Sequence, residues 1–78
     1  MGDIEKLIER IRRRPPEARF SDVRWLLVAF GWTEDRSSGS HVVFVKAGER
    51  AISVPNSGEK VKRVYLDQLC RRLGLDEE

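Results

Sequence analysis

Two side chains in this 78-residue sequence stand out as candidates for proton transfer or nucleophilic chemistry: the single histidine, His41, which follows Gly39-Ser40, and the single cysteine, Cys70. A neutral imidazole near physiological pH can take a proton from a hydroxyl without help from a metal. Cys70 lies in the run Leu66, Leu69, Cys70, Leu73, whose i, i+3, i+4, i+7 spacing is that of a helix face, so it reads as core rather than as a nucleophile or ligand. With one histidine, one cysteine and no HExxH or CxxC spacing, a metal site is not expected. No Gly-rich phosphate loop precedes a helix, and a serine nucleophile would need His41 as its base plus an orienting group that nothing in the sequence indicates. From spacing alone, the plainer reading of His41 is a surface histidine at a strand edge.

Fifteen Lys and Arg against thirteen Asp and Glu give a formal charge of only +2, so placement matters more than the total. Acidic residues gather at both ends (Asp3, Glu5, Glu9; Asp76, Glu77, Glu78), whereas Lys46, Arg50, Lys60, Lys62 and Arg63 leave the middle and later part basic. That is the region where a phosphate would sit. Arg12-Arg13-Arg14 has a simpler explanation, since basic residues complement the dipole at a helix C-terminus.

The elements that position these groups are legible in the hydrophobic pattern. Ile4, Leu7, Ile8 and Ile11 predict an amphipathic helix over residues 3–14, stopped by Pro15-Pro16. A second helix is expected to start at Ser21 as N-cap, with Phe20 stapled onto Trp25, and to end at Gly31. It is apolar almost all round, so the first helix should cover its Trp25, Val28 and Ala29 face while a sheet covers the other. Between Trp32 and Pro55 the pattern changes to short apolar runs broken by Ser37-Ser38-Gly39 and Ala47-Gly48, which predicts three antiparallel strands. Gly48 should turn a hairpin pairing residues 40–46 with 49–54, and Pro55 should end the ladder. Residues 56–62 read as a polar loop before the Cys70 helix, which Gly74 closes as a C′ residue with Leu75 folding back.

The segment from residue 20 to 75 resembles the HicA family of toxin-antitoxin RNases. The similarity runs through Ser21-Asp22-Val23-Arg24-Trp25-Leu26-Leu27 and Phe30-Gly31-Trp32, then Gly39-Ser40-His41 and Phe44. It continues with Val54-Pro55, Gly58-Glu59-Lys60-Val61 and Arg72-Leu73-Gly74-Leu75. Many members carry a second histidine directly after the first, where this chain has Val42, and another after the Val-Pro pair, where it has Asn56-Ser57. The resemblance implies an α+β fold like the double-stranded-RNA-binding domain: an α-β-β-β-α core with helices on one face of a three-stranded antiparallel sheet, here with an additional N-terminal helix. It also implies mRNA cleavage, an essential histidine at His41, and neutralisation by a HicB-type antitoxin. The 2′-hydroxyl of a ribose is a substrate that a lone imidazole base can activate. Gly39, Ser40, Lys46, Arg50, Lys60 and Lys62 are the candidate RNA-binding residues, with lysine or arginine offsetting charge on the phosphorane.

Length and composition set the frame. The expectation is one domain over residues 1–78, no cofactor, no intramolecular disulfide, no membrane span, no signal peptide and a reducing, cytoplasmic setting. A core this small is modestly stable, so a partner that covers apolar surface is expected as well. Two other readings fit the same residues: an RNA-binding module of this fold that cuts nothing, and a partner-binding protein whose strand Val42-Val43-Phe44-Val45, apolar on both faces, marks an interface without RNA chemistry.

Overall fold

The periodic run of Ile4, Leu7, Ile8 and Ile11 forms helix α1 (Gly2–Arg12). The computed structural model describes residues 2–76. α1 ends two residues earlier than its sequence pattern suggests, because Arg14 precedes Pro15 and a residue in that position is sterically kept out of the helical region. Arg14 instead takes a φ of 51°. Its guanidinium reaches across to helix α3 (Arg63–Leu73), 2.9 Å from Asp67, and to Asp76 just past that helix, holding the Asp76 carboxyl below its ordinary range through the shared hydrogen bonds.

Strand β1 (Glu17–Arg19) runs without a break into helix α2 (Phe20–Ala29), and strand β5 (Lys60–Lys62) runs the same way into α3. The two strands pair antiparallel, Ala18 opposite Val61. This ribbon is not foreseen in the sequence, where residues 56–62 read as loop, because three-residue strands with one apolar position carry almost no periodic signal. It also corrects the expected helix start. Arg19 is already held extended by the ribbon and becomes the N-cap, without a side-chain cap bond, so Ser21 lies inside the first turn.

Strands β2 (Thr33–Ser38), β3 (His41–Val45) and β4 (Ile52–Pro55) form an antiparallel sheet in the order β2-β3-β4. The fold is therefore α+β, with the three-stranded sheet and helix arrangement of an α-β-β-β-α core preceded by one further helix. The β3–β4 connection is longer than a tight hairpin at Gly48, since pairing begins only at Phe44 opposite Ile52. On the helix side of the sheet, Val42, Phe44, Ile52 and Val54 pack with Val23, Leu26 and Leu27 of α2 and with Leu66 and Leu69 of α3 in one core.

α1 joins that core through Leu7 and Ile11, and Cys70 is buried beside it, its Sγ–H donating to the Ile11 carbonyl at 3.5 Å. Burial pushes the thiol pKa up, as befits a packed rather than a reactive cysteine. The expected cover over α2 is only partly made. α1 contacts both α2 and α3, which leaves Trp25 45% and Val28 53% exposed on the outer side of α2. At its other end α3 closes as expected. Gly74 adopts the left-handed conformation, and the Leu75 N–H bonds to the Cys70 carbonyl at 2.9 Å, returning Leu75 to the core.

Candidate active site

Ser38 and His41 are paired across β2 and β3, so Gly39-Ser40 is a two-residue hairpin loop. Gly39 has φ +60° and Ser40 stays on the negative side, the pattern of a type II′ turn with glycine in its first central position. A Cβ built on Gly39 meets nothing within 4 Å, so the demand for glycine comes from the backbone alone. Gly39→Ala is accordingly expected to lower stability by about 1–3 kcal/mol, read as the urea midpoint at unchanged m-value; an unchanged midpoint would show that the turn relaxes at no cost.

This turn delivers His41 as the first residue of β3, in the middle of the sheet, with Pro55 of β4 as its other neighbour. The next backbone bond on that side runs from the Asn56 N–H to the Ser40 carbonyl. Along β3 exposure alternates: His41, Val43 and Val45 face outward, Val42 and Phe44 inward. The imidazole thus stands on the sheet face opposite the helices. No hydrogen bond engages it among the described residues.

Residues paired across antiparallel strands share a face, so the register fixes what else lies there. Arg36 is opposite Val43, and Ser53 is opposite Val43 on the other side. Arg36 is therefore the diagonal neighbour of His41, about 7–8 Å away by backbone, close enough for a guanidinium to share one ligand with the imidazole. Its side chain is 71% exposed and, among the described residues, paired only with its neighbour Asp35, at 3.1 Å. Arg36 carries no signal in the sequence, because the bulge between Glu34 and Arg36 decides which face it takes.

The other basic residues singled out from the sequence are spread over the molecule. Lys46 and Arg50 lie past the far end of β3, where Val45 is already about 13 Å from His41 by strand rise. Lys46 donates from Nζ to the Phe30 carbonyl at 2.9 Å and so closes the C-terminus of α2. The Arg50 backbone carbonyl accepts from Arg72. Lys60 and Lys62 sit on the ribbon strand β5, four and six residues beyond the Asn56 that bonds to Ser40; Lys60 pairs with Glu17 at 3.0 Å, and Lys62 is exposed. The structure brings together Gly39, Ser40 and His41, with β5 following through one turn, and keeps Lys46 and Arg50 apart from them. Of the two departures from the family pattern, Val42 is buried on the core side, so whatever stands there does not share the His41 face. Asn56 has its Oδ1 buried without a hydrogen-bond partner among the described residues.

No group of three His, Cys, Asp or Glu side chains among the described residues comes together in a way that would hold a metal ion. No helix there is long and apolar enough to cross a membrane. In comparisons with known proteins, the family model described as the HicA toxin of bacterial toxin-antitoxin matches residues 20–75, from the first residue of α2 to Leu75. No curated protein and no solved structure gave a match.

Proposed function

The chain belongs to the HicA toxin family of bacterial toxin-antitoxin systems, and from that premise we propose that it is a metal-independent endoribonuclease that cleaves mRNA with His41 as general base. The observation that carries this reading is the placement of His41: exposed, on a central strand, fixed by a two-residue turn on one side and the Ser40–Asn56 backbone bond on the other, with an arginine diagonal to it on the same open face. Neutral imidazole takes the proton of a ribose 2′-OH, and the 2′ oxygen attacks the adjacent phosphorus. The 5′ oxygen leaves and is protonated by water, so the upstream fragment ends in a 2′,3′-cyclic phosphate. Arg36 offsets the charge gained by the phosphorane, and Lys60 and Lys62 bind the flanking phosphates. Gly39 and Ser40 let the RNA backbone approach the imidazole closely.

Lys46 and Arg50, remote from His41, serve RNA farther along its length. The family implies an antitoxin partner. A HicB-like antitoxin that covers the open face, where Val43 is half-buried and Val45 is 36% exposed, would inhibit by shielding His41.

The direct test is to incubate the purified chain with end-labelled RNA in excess EDTA; cleavage with cyclic-phosphate ends is expected. One observation favours a non-catalytic RNA-binding module instead, namely that among the described residues no side chain is hydrogen-bonded to the imidazole. A mobility shift without cleavage would establish that module. Arg36→Ala separates the proposed phosphate role from general charge. It is expected to lower kcat about 10-fold or more, as for loss of a transition-state contact, whereas a rise in KM alone would make Arg36 a binding residue.

A further inference from the structure

The two edges of the three-stranded sheet are protected very differently. β2 carries a bulge and the charges Glu34, Asp35 and Arg36, devices that discourage another strand from pairing there. β4 reads Ile-Ser-Val-Pro, with no charge and no bulge, and no strand covers its outer side among the described residues. Its hydrogen-bonding phase follows from the Asn56-to-Ser40 bond. Antiparallel pairs alternate, so Val54 and Ile52 exchange bonds with β3, while Ser53 directs its N–H and C=O outward, as does Pro55 its C=O. Pro55 has no N–H to lose on that side.

Alongside this edge runs a cleft of about 250 Å³ between β4 and α3, lined on the helix side by Tyr65, Gln68, Leu69 and Arg72. It is smaller than the roughly 300–1,000 Å³ of small-molecule sites and suits one or two side chains. At the Ala51 end the cleft continues into a basic mouth formed by Arg50, Arg71 and Arg72. Arg71 is paired with Asp67 at 3.1 Å; Arg72 is stacked on Trp32 at 5.6 Å and bonded to the Arg50 carbonyl; Arg50 has no side-chain partner among the described residues. A positive balance therefore remains at the mouth.

From these features we infer that the free edge of β4 is a docking site for an extended acidic segment of the antitoxin, which adds a fourth strand to the sheet and places a carboxylate against Arg50 and Arg72. An edge that offers alternating donors and acceptors matches a peptide backbone, which supplies both, better than a phosphate chain, which only accepts. Because Pro55 is the strand partner of His41, a segment paired along β4 leads the antitoxin to the imidazole it must cover. The inference rests on the toxin reading above and specifies how its partner holds on.

The test is backbone amide hydrogen exchange on the chain, alone and mixed with the product of whichever reading frame is encoded next to its own. The Ser53 amide is expected to slow at least about 10-fold in the complex, since it gains a ladder hydrogen bond. Ser53→Pro removes that N–H without touching the β3–β4 bonds and is expected to weaken binding about 10-fold or more, and Arg50→Glu to weaken it in proportion to salt sensitivity. If Ser53→Pro does not fold, exchange on the parent chain still decides. A bound, inhibiting product that leaves Ser53 exchanging as in the free chain overturns the edge site and leaves the toxin reading standing. A product that neither binds nor inhibits overturns both. Protection of Ser53 by a ribo-oligonucleotide alone would assign the cleft to RNA and overturn the peptide site.

Discussion

Replacing His41 by alanine or glutamine is expected to abolish RNA cleavage and toxicity while the fold and RNA binding persist. The imidazole is exposed, faces away from the core and makes no hydrogen bond among the described residues, so its loss removes little buried area and orphans no polar group. The β3 backbone that carries it is held from both sides by β2 and β4 whatever the side chain. Loss of a general base lowers rates by about 10² to 10⁴, or roughly 3–5 kcal/mol of barrier. Phosphate contacts made by arginine and lysine are untouched, so a mobility shift with uncleaved RNA should survive. The measurement pairs single-turnover cleavage with circular dichroism on the same preparation. A folded His41→Ala chain that cuts RNA near the parent rate would remove His41 from the chemistry and with it the proposed mechanism.

Among the single substitutions considered, the largest stability effect is expected outside the matched family segment, at Ile11→Ala. Helix α1 precedes residues 20–75, yet its packing makes it part of the core rather than an appendage. Ile11 is fully buried, Leu7 nearly so, and the Ile11 carbonyl accepts the Cys70 thiol of α3. Truncating a buried isoleucine lowers stability by about 2–5 kcal/mol, against a total of roughly 4–12 kcal/mol for a domain of this size. At roughly 4–8 °C per kcal/mol, Tm should fall by roughly 10 °C or more. Val28→Ala is the control: that side chain is 53% exposed, so its change should stay within about 0.5 kcal/mol. Deleting the chain through Arg14 should lower Tm further yet leave slow cleavage measurable in the cold, because His41 lies on the face α1 does not touch. An Ile11→Ala chain melting with the Val28→Ala control would make α1 dispensable.

What the sequence determined by itself is what local physics encodes strongly. The 3.6-residue spacing of Ile4, Leu7, Ile8 and Ile11 and of Leu66, Leu69, Cys70 and Leu73 was enough for α1 and α3, and for Cys70 as a core residue. Gly74 was enough for the helix stop, because few residues other than glycine take its left-handed conformation without strain. Clusters of turn residues between apolar runs were enough for the number of strands and for His41 at the start of the second, although Ser37 and Ser38, which read as part of the break, are held in β2 by pairing with Val42 and His41. The order of the residues from Phe20 to Leu75 also carried the family.

Tertiary structure decided the rest, wherever the cause is a partner distant in the chain. β1 and β5 exist only because each pairs with the other more than forty residues away, and that pairing moved the N-cap of α2 from Ser21 to Arg19. Helix α1 settled between α2 and α3, so Trp25 and Val28 stayed exposed, a choice no single-helix pattern contains. Arg36 joined the His41 face, and Lys46 went to the end of α2, for the same reason: a side chain's neighbourhood is set by strand register and by a bulge, and shifting the register by one residue would exchange the two faces of the sheet.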